Sequence, residues 1–225
     1  MHIPCDVPKR KRRIYTKNYN LATQNSGKLM LFAGDQRFEH LNGDFVGKGI
    51  HKDDADPEHF FKIASQARVG VFATQMGLLS KYGADYPDVP YLVKLNSKTN
   101  LVKTDQMDPF SVMLQDVDQV VTFQKNSKLN IVGIGLTVYL GSEFEATLLR
   151  QAAQTIFEAH QNGLLVVLWM YPRGAAIKDE KSPEIISGAC GVAACLGADF
   201  VKINYPQVKG KPSKKGYEMA LKAAG

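Results

Sequence analysis

Strand-like apolar runs recur along the chain at Leu29–Ala33, Val69–Thr74, Tyr91–Leu95, Ile131–Tyr139, Leu164–Tyr171 and Asp199–Tyr205. Most are separated by stretches with helical patterning, and this alternation predicts parallel β/α units. The clearest helix runs from Glu143 to about Gln161. Ser142 and Glu145 form a capping box at its start, Phe144, Leu148, Ala152, Ile156 and Ala159 make its apolar stripe, and Gly163 can end it. A second helix is predicted after Asp56-Pro57, with Asp56 as N-cap, Pro57 at the first helical position, and Phe60, Phe61 and Ala64 turned inward. Further helices are expected over about Asp116–Lys125, Glu184–Leu196 and Tyr217–Ala224.

Six strands in such units fit either an open doubly wound sheet or the first three quarters of a (β/α)8 barrel, and periodicity does not choose between them. The segment after the first strand, Ala33-Gly34-Asp35-Gln36-Arg37, matches neither a Gly-rich dinucleotide loop nor a nucleotide-phosphate loop, which favours the barrel. The expected fold is therefore α/β, a (β/α)8 TIM barrel. A full barrel takes about 250 residues, so this chain of 225 is expected to stop in the helix after strand six. The expected division is an N-terminal arm over residues 1–28 and the barrel over residues 29–225. Strands one and six would then have open edges that invite completion by another chain, and little activity is expected from this form alone.

With 44% hydrophobic residues the chain can bury one substantial core. Its net charge of +6 gathers at Lys9-Arg10-Lys11-Arg12-Arg13, leaving the remainder nearly neutral. Such a run can bind RNA, DNA or a membrane surface, yet without interleaved aromatic residues it reads as a solvated arm. Cys5, Cys190 and Cys195 have neither metal-ligand spacing nor an even-numbered framework, which implies reduced thiols in a cytoplasmic compartment. No apolar stretch is long enough to cross a bilayer, and the N-terminus lacks the apolar core of a secretion signal. His40, His51, His59 and His160 share no ligand spacing, so no metal site is expected.

Active-site groups of such folds gather at the carboxyl ends of the parallel strands, which here supply Asp35, Asn96, Tyr139, Trp169, Tyr171, Arg173 and Lys202. Lys202 interrupts a short apolar run. Burial of a lysine there would lower its pKa and make a neutral amine available to attack a carbonyl, which is Schiff-base chemistry. Trp169 and Tyr171 stand two apart on one strand, so their side chains project to the same face and a phenol there could meet the amine. Plainer readings stand beside these. Lys202 could reach solvent at a strand end, Lys94 could be the imine lysine instead, Trp169 and Tyr171 could fill a barrel, and Asp35 could cap a loop.

Four segments resemble the archaeal-type class I fructose-bisphosphate aldolases of the deoxyribose-phosphate aldolase-like superfamily. They are Phe32-Ala-Gly-Asp-Gln-Arg-Phe-Glu-His40, Val93-Lys-Leu-Asn-Ser-Lys-Thr-Asn-Leu101, Leu168-Trp-Met-Tyr-Pro-Arg-Gly174 and Gly197-Ala-Asp-Phe-Val-Lys-Ile-Asn-Tyr205, in the family's order. Lys202 follows Tyr171 by a family-like 31 residues. The resemblance implies cleavage of fructose 1,6-bisphosphate to dihydroxyacetone phosphate and glyceraldehyde 3-phosphate, and the reverse, in glycolysis and gluconeogenesis, with no diffusible cofactor. It implies Lys202 as the imine lysine, Tyr171 as proton carrier, Asp35 as orienting acid and Trp169 as a water-excluding wall. Lys94 would support the substrate or the neighbouring amine, and Asn96, Lys98 and Arg173 would contact hydroxyls or phosphate or simply brace loops. The family's phosphate-binding loops follow strands seven and eight, so none of those residues carries over. A large homo-oligomer is also implied, with a sugar phosphate as partner and neither membrane nor nucleic acid. Two alternatives remain open: a related imine-dependent aldolase or transaldolase making deoxy-keto sugar phosphates or heptulosonate precursors, and a catalytically silent RNA-binding or scaffold protein using the basic arm.

Overall fold

A computed structural model of the chain describes residues 2–101 and 108–225. They divide into two compact units, one holding residues 2–101, 113–135 and 159–165 and the other residues 108–112, 136–158 and 166–225.

The first unit begins with α1 (Arg12–Thr23), which buries Tyr15, Asn18, Ala22 and Thr23. Residues 1–28, expected as an arm, thus include a packed helix, with Lys9, Arg10, Arg12 and Arg13 exposed. Asn18 Nδ2 donates to the Gly163 carbonyl at 2.8 Å, and His160 Nδ1 lies 2.8 Å from Asp6 Oδ2, so this segment is held by specific polar contacts. Three strands follow in β/α alternation: β1 (Leu31–Ala33), α2 (Gln36–Phe45), α3 (Pro57–Gln66), β2 (Val71–Thr74), α4 (Met76–Tyr82) and β3 (Tyr91–Lys94). After α5 (Val117–Ser127) comes the first half of β4 (Ile131–Leu140). The strand order is β1-β2-β3-β4 and every pairing is parallel. Every residue of β2 and β3 is buried, as expected of parallel strands covered on both faces.

Local chemistry explains the boundaries. Asp56 caps α3 by accepting from the Glu58 amide at 3.0 Å, Pro57 opens the helix, and Phe60, Phe61 and Ala64 are buried as expected. Asp116 and Gln119 form a reciprocal capping box at the head of α5. Gly133 is required by close approach, because an added Cβ would stand 2.6 Å from the Leu165 carbonyl oxygen.

The second unit contains the rest of β4, most of α6 (Glu145–Asn162), β5 (Leu165–Pro172), α7 (Pro183–Leu196), β6 (Phe200–Lys202) and α8 (Lys214–Ala224), with strand order β4-β5-β6. The start of α6 differs from the expected capping box. Ser142 Oγ accepts from the Phe144 amide at 3.2 Å, while the Glu145 carboxylate accepts from Gly141 rather than from Ser142. Ser142 Oγ also donates to the Pro109 carbonyl at 2.9 Å. Asp199 locks the start of β6 to β5: its carboxylate accepts from the Val166 amide at 2.7 Å, and its own amide donates to the Val166 carbonyl at 3.0 Å.

The sixth strand is shorter than the expected Asp199–Tyr205. Its register with β5 runs from Val167–Phe200 to Trp169–Lys202, after which the chain leaves the sheet toward Pro206. Among the described residues, no helix is long and apolar enough to cross a membrane.

Candidate active site

In the first unit, three consecutive strand ends supply polar side chains to a buried place. Asp35 follows β1 at the N-cap position of α2, yet its carboxylate makes no capping hydrogen bond to that helix. Oδ2 lies instead 3.3 Å from Nζ of Lys94, the last residue of β3, and the two side chains are only 6% and 1% exposed. Asp35 Oδ1 is buried and has no hydrogen-bond partner among the described residues. Asp35 has helical backbone angles, φ −63° and ψ −29°, instead of the extended ones from which an N-cap aspartate bonds its helix, and its unsatisfied oxygen costs about 1–3 kcal/mol. The loop-cap reading of Asp35 therefore fails.

Gln75, which follows β2, completes this cluster. Its Nε2 donates to the Asp35 backbone carbonyl at 2.9 Å and to Ser97 Oγ at 3.4 Å. Gln75 and Ser97 were not expected from the sequence. The available signal was their position, since each is a polar residue within three places of a strand's carboxyl end, as Asp35 is. Asn96, next to Ser97 in sequence, is buried, whereas Lys98 reaches Asn100 Oδ1 at 2.6 Å in an exposed loop, a bracing contact.

In the second unit, Lys202 ends β6 opposite Trp169 in register. Val201 and Ile203 pack against Ile186, Cys190 and Ala220 of the helical layer formed by α7 and α8. Side chains alternate along a strand, so Lys202 turns away from that layer, to the face where Trp169 and then Tyr171 stand. The Lys202 ammonium lies 5.4 Å from the Trp169 ring centroid. Trp169 is fully buried, and both Tyr171 and Lys202 are half-buried. The deep burial expected for Lys202 thus belongs to Lys94. The cause is strand position, because β3 is flanked by β2 and β4 while β6 ends the strand order and has β5 as its neighbour.

Arg173, one residue past β5, is exposed, with its guanidinium 5.7 Å from the Tyr171 ring centroid and 3.3 Å from Glu180 Oε2. Its amide donates to the Leu140 carbonyl at 2.8 Å, anchoring the turn that carries it. Burial raises the pKa of the Cys190 thiol on α7, consistent with a structural role behind β6. Among the described residues, no group of three or more His, Cys, Asp or Glu is arranged to hold a metal ion.

Six strands in parallel β/α units, with polar residues at their carboxyl ends, have the truncated (β/α)8 barrel architecture of the aldolases that the chain matches. Residues 29–224 match the DeoC/LacD family aldolase pattern, and the chain belongs to this family. It is 52% identical over 223 residues to the fructose-bisphosphate aldolase/6-deoxy-5-ketofructose 1-phosphate synthase of Methanocaldococcus jannaschii, covering 99% of this chain and 71% of that protein. A solved fructose-bisphosphate aldolase from Slackia heliotrinireducens superposes with a TM-score of 0.96 at 56% identity, over 100% of this chain and 71% of that one. An archaeal fructose-1,6-bisphosphate aldolase, solved with its catalytic lysine covalently bound to the carbinolamine intermediate, has a TM-score of 0.78 at 31% identity, over 94% of this chain and 76% of its own.

Proposed function

We propose that this chain carries the imine-forming site of a class I aldolase that cleaves fructose 1,6-bisphosphate into dihydroxyacetone phosphate and glyceraldehyde 3-phosphate and runs the reverse condensation. The observation that carries the reading is Lys202, at a strand's carboxyl end, aligned with Trp169 on the face that Tyr171 shares. A solved relative with a lysine-bound carbinolamine supports the same chemistry.

In this reading the Lys202 amine attacks the ketone carbon, and the carbinolamine loses water to leave an iminium. The iminium withdraws electrons as the C3–C4 bond breaks and the C4 hydroxyl gives up its proton, so the aldehyde departs and an enamine remains. Tyr171 carries that proton and returns one to C3 of the enamine, and hydrolysis then frees dihydroxyacetone phosphate. Trp169 shields the imine from bulk water and positions the carbon chain. Asp35, held by Lys94, orients substrate hydroxyls, while Asn96 and Arg173 bind polar groups of the sugar phosphate.

A second reading keeps the imine and changes the aldehyde, with a 6-deoxy-5-keto sugar phosphate as product. The double name of the Methanocaldococcus relative favours it. Borohydride reduction in the presence of dihydroxyacetone phosphate, followed by peptide mass analysis, tests what the two readings share. The expected adduct is on Lys202, whereas an adduct on Lys94, or none, overturns both. Comparing cleavage of fructose 1,6-bisphosphate with formation of the deoxy product then separates them.

A further inference from the structure

Gln75 does something its surroundings do not require for packing. It is 8% exposed and follows β2, and its backbone carbonyl accepts from the Leu78 and Leu79 amides at 3.1 and 3.3 Å, so the first turn of α4 fixes its main chain. From that anchor the side-chain amide spends both hydrogens on neighbouring strand ends, one on the Asp35 carbonyl beyond β1 and one on Ser97 Oγ beyond β3. The Asp35 carbonyl also accepts from the Phe38 amide at 3.1 Å, so two donors orient the Asp35 peptide.

The orientation matters because Asp35 has a competing option. With extended backbone angles an aspartate here would turn its carboxylate onto the amides of α2, but the Asp35 peptide is held at φ −63° and ψ −29°. In this structure the carboxylate ignores them, meeting Lys94 with one oxygen and leaving the other buried without a hydrogen-bond partner among the described residues. A conformation that forgoes the local cap must be held from outside. The Gln75 amide donates to the Asp35 main chain from the end of the neighbouring strand.

We infer that Gln75 is a positioning residue that keeps the Asp35 carboxylate on Lys94, and so presented to substrate, instead of collapsed onto the head of α2. Its place in the reaction rests on the aldolase reading above. The claim about the Asp35–Lys94 pair does not.

Gln75→Met keeps length and volume but removes both donors, and Gln75→Glu keeps the shape while setting an acceptor against the Asp35 carbonyl. In either variant the Asp35–Lys94 pair opens part of the time. Its labelling by an amine-reactive reagent, read by peptide mass analysis on the folded protein, should rise at least about threefold as the pair opens. In the aldolase assay kcat should fall about tenfold with KM within about twofold, while the borohydride adduct on Lys202 still forms. The Gln75→Met loss should nearly vanish in an Asp35→Asn background, because two residues acting through one carboxylate are not additive.

A residue that merely packs would leave Lys94 labelling unchanged and would cost as much with Asp35→Asn as without it, and either result overturns the inference. If one variant does not fold, the other carries the labelling test. An unaltered protein that neither traps the ketone nor cleaves the sugar would remove the aldolase reading alone, and the labelling comparison would still decide the role of Gln75.

Discussion

Lys94 in the first unit is 1% exposed and lies 3.3 Å from the Asp35 carboxylate, whereas Lys202 in the second is half-buried, with its ammonium 5.4 Å from the Trp169 ring centroid. Both residues end a parallel strand, and both interrupt an apolar run. Burial alone would single out Lys94 as the reactive amine. The proposed reading reverses that ranking, because Lys94 is engaged by a buried carboxylate whereas Lys202 is half-buried at a strand end that a ketone can reach. A half-buried lysine beside an indole can admit a ketone and then be closed over by it. On the aldolase reading proposed above, the more deeply buried lysine is the support and the half-buried one the nucleophile, in the opposite sense to the usual expectation.

The strongest way to break the comparison is to delete each amine in turn. Lys202→Met should abolish the dihydroxyacetone phosphate adduct and lower carbon–carbon cleavage by about 10⁴-fold or more, since it removes the covalent route. Lys94→Met should keep the adduct on Lys202. Loss of the adduct in Lys94→Met with retention in Lys202→Met would exchange the two roles.

A smaller effect sharpens the second site. Tyr171→Phe removes the phenolic hydroxyl and keeps the ring over which Arg173 lies. Cleavage should fall about 10³-fold, within the range for loss of a proton-transfer group, while borohydride still traps the imine. Equal loss of trapping and cleavage would instead place Tyr171 in ketone binding.

Stability should show the opposite asymmetry to activity. Lys94→Met leaves the Asp35 carboxylate buried without its cation, and removing one partner of a buried pair costs about 3–5 kcal/mol. Lys202→Met, at a half-buried position, should cost about 1 kcal/mol or less. Urea midpoints at constant m-value measure both. The double variant Asp35→Asn/Lys94→Met should recover much of the loss, and a strictly additive double variant would show that the pair is not coupled.

These asymmetries explain what could be read in advance. The apolar runs marked all six strands to within a few residues, because strands buried in a parallel sheet need apolar side chains on both faces. Asp56-Pro57 marked the head of α3 because capping chemistry is local. The strand-end positions of Asp35, Lys94, Trp169, Tyr171 and Lys202 were legible for the same reason, as each lies within two or three residues of where a run stops or turns. Three things were not legible. The Asp35–Lys94 pair and the Gln75 bridge join residues distant in sequence through strand order, which no local pattern encodes. The relative burial of the two lysines depends on which strand has neighbours on both sides. The cap of α6 is shifted by one residue, with Glu145 bonding Gly141 instead of Ser142, and Ser142 also reaches the Pro109 carbonyl across 33 residues.

The smallest expected effect concerns the apolar face behind Lys202. Cys190 of α7 is buried against Val201 and Ile203, while Cys5 and Cys195 are exposed. Desolvation raises the pKa of the Cys190 thiol, so at a given pH it supplies less thiolate, the form that reacts with alkylating reagents. Cys190 should therefore be alkylated more slowly than the exposed Cys195 between pH 7 and 9. Cys190 should lag by about tenfold in rate throughout, because the layer formed by α7 and α8 must also open to admit the reagent. Linkage runs in the same direction: a thiol whose pKa is raised by folding contributes stability below the unfolded-state value, and that contribution fades as pH rises through the folded one. Mass-resolved iodoacetamide labelling measures the ratio directly. Should Cys190 react as fast as Cys195, the helical layer would be opening behind β6, and the half-burial of Lys202 would reflect fraying of β6 instead of an amine set to receive a ketone.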